Sequence, residues 1–251
     1  MKKRAGSVFP RGPADFVLQL AIWLCFGLLY QIARGIADRD PDEAFRNGRW
    51  VISFERHLHS LFELDFQKWS LPHAALVHAL DYTYWLSQFA VVGIALLWIY
   101  FRRIEHFEHV RNWLIAANLF GLVGYVAMPT APPRMFAADG FVDTLADSAA
   151  LNHGTGFVQL AANPYAAMPS LHAADALIIG ISMVMLVRNP VGKALWVLWA
   201  PWVWFAVMAT ANHFWLDIAA GIACAALGYA LVTWAEARMP ANVVVAGPRR
   251  W

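Results

Sequence analysis

Six long, sparsely charged apolar runs constrain this chain more than anything else in it. They cover about residues 14–33, 81–101, 111–128, 171–187, 193–211 and 213–235. A helix that crosses a bilayer needs roughly 20 mainly apolar residues. Lipid offers the backbone no water, so such a run must satisfy its N–H and C=O groups internally, as a helix does. The expected fold is therefore all-α, a polytopic membrane bundle of six transmembrane helices. Composition agrees: 60% of the residues are hydrophobic and 14% are charged, against about half and a quarter in an ordinary soluble domain. The net charge of +2 and the absence of a basic run exclude a nucleic-acid partner. Cys25 and Cys224 each lie within an apolar run and are expected to be buried, inert thiols. There is no Gly-rich phosphate loop, CxxC pair or internal repeat.

Basic residues at the ends of the runs orient the bundle. Lys2, Lys3, Arg4 and Arg11 precede the first run, Arg102, Arg103 and Arg111 flank the second connection, Arg188 and Lys193 flank the fourth, and Arg238, Arg249 and Arg250 follow the last. Six spans put all of them on one side, so both termini are expected in the cytoplasm of a multi-pass cell-membrane protein. The first run is long for a signal peptide and is read as an uncleaved anchor. Residues 1–239 are expected to form one membrane domain, and 240–251, "PANVVVAGPRRW" from Pro240, a cytoplasmic tail.

The segment 34–80 is more than a linker. Asp40 suits a helix N-cap, Pro41 its first position, and Asp42 and Glu43 its first turn. Val51, Phe54, Leu58 and Leu61 then make one apolar stripe on an otherwise polar helix. An interfacial amphipathic helix over 40–64 is expected, lying on the outer leaflet.

Three polar clusters, within core motifs 128–217, fall on that same face. Ionisable groups at membrane depth are costly and usually functional. "MPTAPPR" (128–134) holds Arg134 in a rigid turn, because its prolines stop helix continuation. "MPSLH" (168–172) places Ser170 at a helix N-cap with His172 in the first turn, where free N–H groups and the helix dipole suit an anion. "NHFWLD" (212–217) spaces His213 and Asp217 four apart. On a helix their Cβ atoms would lie roughly 5–6 Å apart. Asp217 would then fix the imidazole tautomer and leave the other nitrogen free to attack. A metal site built from His172, His213 and Asp217 would be short of ligands, so neither metal nor cofactor is expected.

The motif Pro169-Ser170-Leu171-His172 followed by His213-x-x-x-Asp217 resembles the second and third motifs of the type 2 phosphatidic acid phosphatase superfamily. "PTAPP" with "PSLH" is most similar to the branch that includes fungal inositol phosphorylceramide synthase. The resemblance covers about residues 110–235. It implies six spans, a site at one membrane face and metal-independent catalysis. His213 would attack phosphorus to form a phosphohistidine, and Asp217 would hold that imidazole. His172 would protonate the departing oxygen, and Ser170 and Arg134 would bind phosphoryl oxygens. The chain departs from the broad family pattern. Ala127 stands where a Lys is usual, Met135 where a Pro is usual, and Ala206-Val207 where Ser-Arg is usual. Arg46, Arg49 and Arg56 are the candidates to replace the missing cations.

The first functional reading is an integral membrane lipid phosphatase that hydrolyses a phosphate ester or pyrophosphate. Its substrate would be a membrane phospholipid, sphingolipid or polyprenyl phosphate. The alternative is a lipid phosphotransferase that passes a phosphoryl or phospho-headgroup to an alcohol such as inositol. Asp139, Asp143, Asp147, Asn152, His153 and Asn163 of the outer loop would be available to bind a polyol acceptor. A transporter or non-catalytic lipid-binding protein is the third reading.

Overall fold

The structure, a computed structural model, describes residues 9–36, 40–146 and 164–238. Its elements are helical: α1 (Pro13–Ile36), α2 (Pro41–His57), α3 (Phe62–Ser70), α4 (Ala74–Leu86), α5 (Val92–Arg102), α6 (Ile104–Ala127), α7 (Leu171–Leu186), α8 (Pro190–Ala209) and α9 (Trp215–Glu236). A π-helical turn, Ser87–Val91, joins α4 to α5 into one continuous rod, Ala74–Arg102. Among the described residues five helices are long and apolar enough to cross a membrane: α1, the α4–α5 rod, α6, α8 and α9. The run expected to form the fourth span, α7, is apolar but has 16 residues. It rises about 24 Å at 1.5 Å per residue, somewhat less than a hydrocarbon core of about 30 Å. The protein is an all-α, multi-pass membrane bundle.

Large apolar side chains point outward along the rods, among them Leu24, Leu28, Leu29, Ile94, Val123 and Leu195. A soluble protein hides such a surface, whereas acyl chains solvate it. Between these rods the core holds large side chains such as Tyr100, Trp113, Leu114 and Ile178, and small residues let backbones meet where α6 and α9 cross. A Cβ on Gly228 of α9 would stand 2.8 Å from the backbone nitrogen of Ala117 on α6. Close approach of this kind is how membrane helices gain packing energy when lipid competes equally for their apolar faces. The indole of Trp113 donates across the same seam to the Ala225 carbonyl at 2.7 Å. Cys224 is buried as expected, but Cys25 is exposed on α1, which presents most of its circumference outward.

The segment 40–64 is two helices rather than one. Asp40 accepts the Glu43 N–H at 2.9 Å and Pro41 opens α2, as expected. The helix then stops at His57, and His59 turns the chain with φ 52° before α3 begins at Phe62. The buried face of α2 also differs from the expected stripe. Ala44, Gly48, Val51, Ile52 and Glu55 face inward, while Phe54 and Leu58 are exposed. The inner face is chosen by what it meets, the loop carrying "MPTAPPR": the Ala131 N–H donates to the Ala44 carbonyl at 3.0 Å, and Asn47 donates to the Pro129 carbonyl at 2.7 Å.

Candidate functional site

Main-chain hydrogen bonds knit the three polar clusters together at one end of the bundle. Thr130 pairs with the 165–167 segment in a short parallel bridge, donating to the Tyr165 carbonyl at 2.8 Å and accepting from Ala167 at 3.2 Å. The Arg134 N–H donates to the Ala211 carbonyl at 2.8 Å, and the Ser170 N–H to the Asp217 carbonyl at 2.8 Å. Each cluster is thus bonded to another through groups every residue carries. Ala211 holds φ 54°, a left-handed conformation that is uncommon away from glycine. That turn delivers Asn212 and His213 to the centre of the three loops.

All five residues singled out from the sequence are brought together. Ser170 caps α7 by accepting the Ala173 N–H at 3.3 Å, and Pro169 blocks the helix from extending backwards. His172 sits in the first turn of α7. Its ring stacks on Tyr84 with centroids 4.4 Å apart and lies 5.5 Å from the ring of His213. Arg134 is nearly buried and donates from Nη1 to the Asn212 side-chain oxygen at 2.6 Å, with Asp143 3.9 Å from its Nε. Asn212 in turn donates to Thr210 Oγ1 at 2.8 Å, so the guanidinium is anchored rather than free to swing.

The His213–Asp217 pair is built differently from the expected shared helix face. His213 precedes the helix, which starts at Trp215. Asp217 reaches back over the first turn, accepts the Phe214 N–H at 2.9 Å and lies 3.4 Å from His213 Nδ1. A closer partner of that nitrogen is the Ala167 carbonyl, at 2.9 Å. A carbonyl can only accept, so Nδ1 must carry the proton and the Nε2 lone pair is left available. The carboxylate is the second, longer partner.

The positions where family cations are usual are apolar here. Val207 and Ala206 are fully buried, with the Val207 carbonyl accepting both the Asn212 and His213 N–H groups. Ala127 is exposed at the end of α6. Of the suggested substitutes, Arg46 and Arg49 are exposed on α2, and Arg56 is paired with Asp139 at 2.8 Å. Asp147, Asn152, His153 and Asn163 of the outer loop lie outside the described residues. Among the described residues no three His, Cys, Asp or Glu side chains gather so as to ligate a metal ion.

Several participants were missed from sequence. Asn212 adjoins the motif and its amide was visible, but nothing marked it as the partner of Arg134. The Ala167 carbonyl has no sequence signal at all. Asp143 was visible only as a carboxylate of the outer loop, and nothing marked its 3.9 Å approach to Arg134.

A helical membrane bundle that clusters two histidines, an aspartate and an arginine beside a capped helix start defines a class. The chain belongs to the PAP2 superfamily, whose family model matches residues 49–231. A curated relative is phosphoinositol dihydroceramide synthase of Bacteroides thetaiotaomicron, 29% identical over 168 residues. That match takes in 59% of this chain and 52% of the relative, so the chain spans about half the length of the curated relative it matches. No solved structure matches.

Proposed function

We propose that this protein transfers a phospho-headgroup from a membrane lipid phosphodiester to an alcohol through a phosphohistidine on His213. The observation that carries the chemistry is the 2.9 Å approach of the Ala167 carbonyl to His213 Nδ1, which leaves Nε2 as an unprotonated nucleophile. Nε2 attacks phosphorus, the P–N bond forms, and the bond from phosphorus to the leaving oxygen breaks. His172 gives that oxygen a proton, then takes one from the acceptor hydroxyl as it attacks phosphorus and the P–N bond breaks. Asp217 stabilises the positive charge that the imidazole carries while phosphorylated. Arg134 and the N-terminus of α7 at Ser170 hold the non-bridging oxygens.

Charge favours the diester. A phosphate monoester carries about 1.5 to 2 negative charges at neutral pH, whereas a diester carries about one. With Ala127 and Val207 at the usual cation positions, the clusters supply one guanidinium, which matches a single negative charge. The curated relative is a synthase, which fits the same reading. Placed by its basic residues, the site faces the extracytoplasmic side of the cell membrane with both termini inside.

The test is purified protein in liposomes, given phosphatidylinositol with dihydroceramide or, separately, phosphatidic acid. Headgroup transfer without comparable phosphate release is expected. Release of phosphate from phosphatidic acid without any transfer would make the protein a lipid phosphatase, with water as acceptor.

A further inference from the structure

Two glutamates on short helices distant in sequence converge on the start of α9. Glu55 of α2 and Glu63 of α3 are both fully buried. Glu63 Oε1 accepts the Trp215 N–H, and Glu55 Oε1 accepts the Leu216 N–H at 3.2 Å. Asp217 accepts the Phe214 N–H at 2.9 Å. A helix start leaves N–H groups without intrahelical partners. Here three consecutive ones, directly after His213, are each taken by a carboxyl group. The remaining oxygens, Glu55 Oε2 and Glu63 Oε2, have no hydrogen-bond partner among the described residues, and the two carboxyl groups lie side by side because they accept adjacent backbone N–H groups.

We propose that Glu55 and Glu63 are positioning residues that share one proton between their carboxyl groups and so clamp the start of α9, holding His213 in place for attack. This rests on the reading of His213 as nucleophile. The shared proton gives one carboxyl a donor and the other an acceptor, and both still receive a backbone N–H. Two ionised carboxylates in contact and out of water would repel, and the clamp would open. Burial, the largest cause, pushes both groups above the usual carboxylate range. The charges of the partner glutamate on Glu55 and of Asp217 on both add to it. Titratable groups bearing on the pair are therefore each other, Asp217 at the start of α9 and, through Asp217, His213. Arg56, next along α2, is exposed and committed to Asp139.

The folded protein keeps a proton that unfolded glutamates release, so stability falls as pH rises from the ordinary glutamate range through the raised range of the pair. The clamp is intact at neutral pH and is lost on the alkaline side.

The experiment compares wild type with Glu55→Gln, Glu63→Gln, Glu55→Ala and Glu63→Ala, all as full-length protein in liposomes with a lipid phosphodiester. A glutamine amide imitates a protonated carboxyl: its oxygen accepts the backbone N–H and its NH2 donates to the remaining carboxylate. Each single Gln variant should keep most of its turnover at neutral pH and lose the alkaline fall in kcat. Each Ala variant should lose about 10²-fold in kcat with little change in KM, as expected for a reacting atom displaced by about 1 Å. Thermal stability against pH gives an independent readout. Wild type should weaken steadily as pH rises from the ordinary glutamate range into the alkaline range while the Gln variants stay flat, and infrared difference spectra should show a buried protonated carboxyl that Glu55→Gln removes. Gln variants as damaged as Ala variants, or an unchanged alkaline fall in both kcat and stability, would overturn the proposal. Covalent labelling separates the two readings. If His213→Ala still takes up phosphoryl label, the nucleophile assignment fails, while the stability and infrared results still decide the carboxyl pair.

Discussion

Gly221→Ala tests whether the distance between α7 and α9 sets the rate. Gly221 lies nearly two turns into α9, against the start of α7. A Cβ there would stand 2.1 Å from the Ser170 carbonyl oxygen and 3.1 Å from its carbon. Both are backbone atoms, so no side chain can swing aside. To regain an ordinary contact of 3.4 Å the two elements must separate by about 1.3 Å along that line. Separation at this point strains the bond from the Ser170 N–H to the Asp217 carbonyl, now 2.8 Å, and draws His172 away from His213. Overpacking of this kind costs about 1–3 kcal/mol, while replacing a helical glycine with alanine returns up to about 1 kcal/mol. The net loss of stability is therefore small. The catalytic loss is not, because misplacement by about 1 Å costs on the order of 10²-fold. We expect Gly221→Ala to insert and purify normally yet turn over about 10²-fold more slowly. The control is Gly93→Ala, where an added Cβ meets nothing within 4 Å. Turnover of both reconstituted variants, with melting curves, decides the matter. Near-wild-type activity in Gly221→Ala would refute the claim that this approach aligns the two histidines.

Other outcomes follow from the same geometry. Arg134→Lys keeps the charge but loses the planar fork held by Asn212, and should slow transfer by about 10²-fold or more; unchanged kinetics would show that other groups bind the phosphate. His213→Ala and His172→Ala should fail differently. A substrate with an aryloxide leaving group needs little protonation, so it should recover much of the roughly 10²–10⁴-fold owed to general acid catalysis in His172→Ala and none in His213→Ala. Uptake of acid-labile label by His213→Ala but not by His172→Ala would exchange the two roles. For orientation, a cysteine at exposed Ala138 should react with an impermeant thiol reagent from outside intact cells and one at exposed Arg102 should not; the reverse pattern would turn the bundle over.

The class of fold, and the segments that make up the candidate site, were legible in the amino-acid order alone. Runs of about 20 apolar residues have one economical solution in lipid, so the bundle was legible from composition and length alone. Polar residues at the ends of those runs stood out because burial there is costly, which is why Arg134, Ser170, His172, His213 and Asp217 were visible without a structure. Some local signals also held: Asp40 and Ser170 cap helices as their side chains predict. How these pieces meet depends on the folded chain. The four-residue spacing of His213 and Asp217 suggested a helix face, but the chain turns at Ala211 and the aspartate reaches back as a cap. The His213 tautomer depends on the carbonyl of Ala167, 46 residues earlier, and every residue has a carbonyl. Which face of α2 is buried was settled by the Pro129–Ala131 loop rather than by the stripe of Phe54 and Leu58. The turn at His59 then brings Glu63 round to meet Glu55. Side-chain periodicity reports how a segment divides between apolar and polar surroundings. Backbone partners and long-range neighbours carry no such mark, because they depend on where the rest of the chain returns.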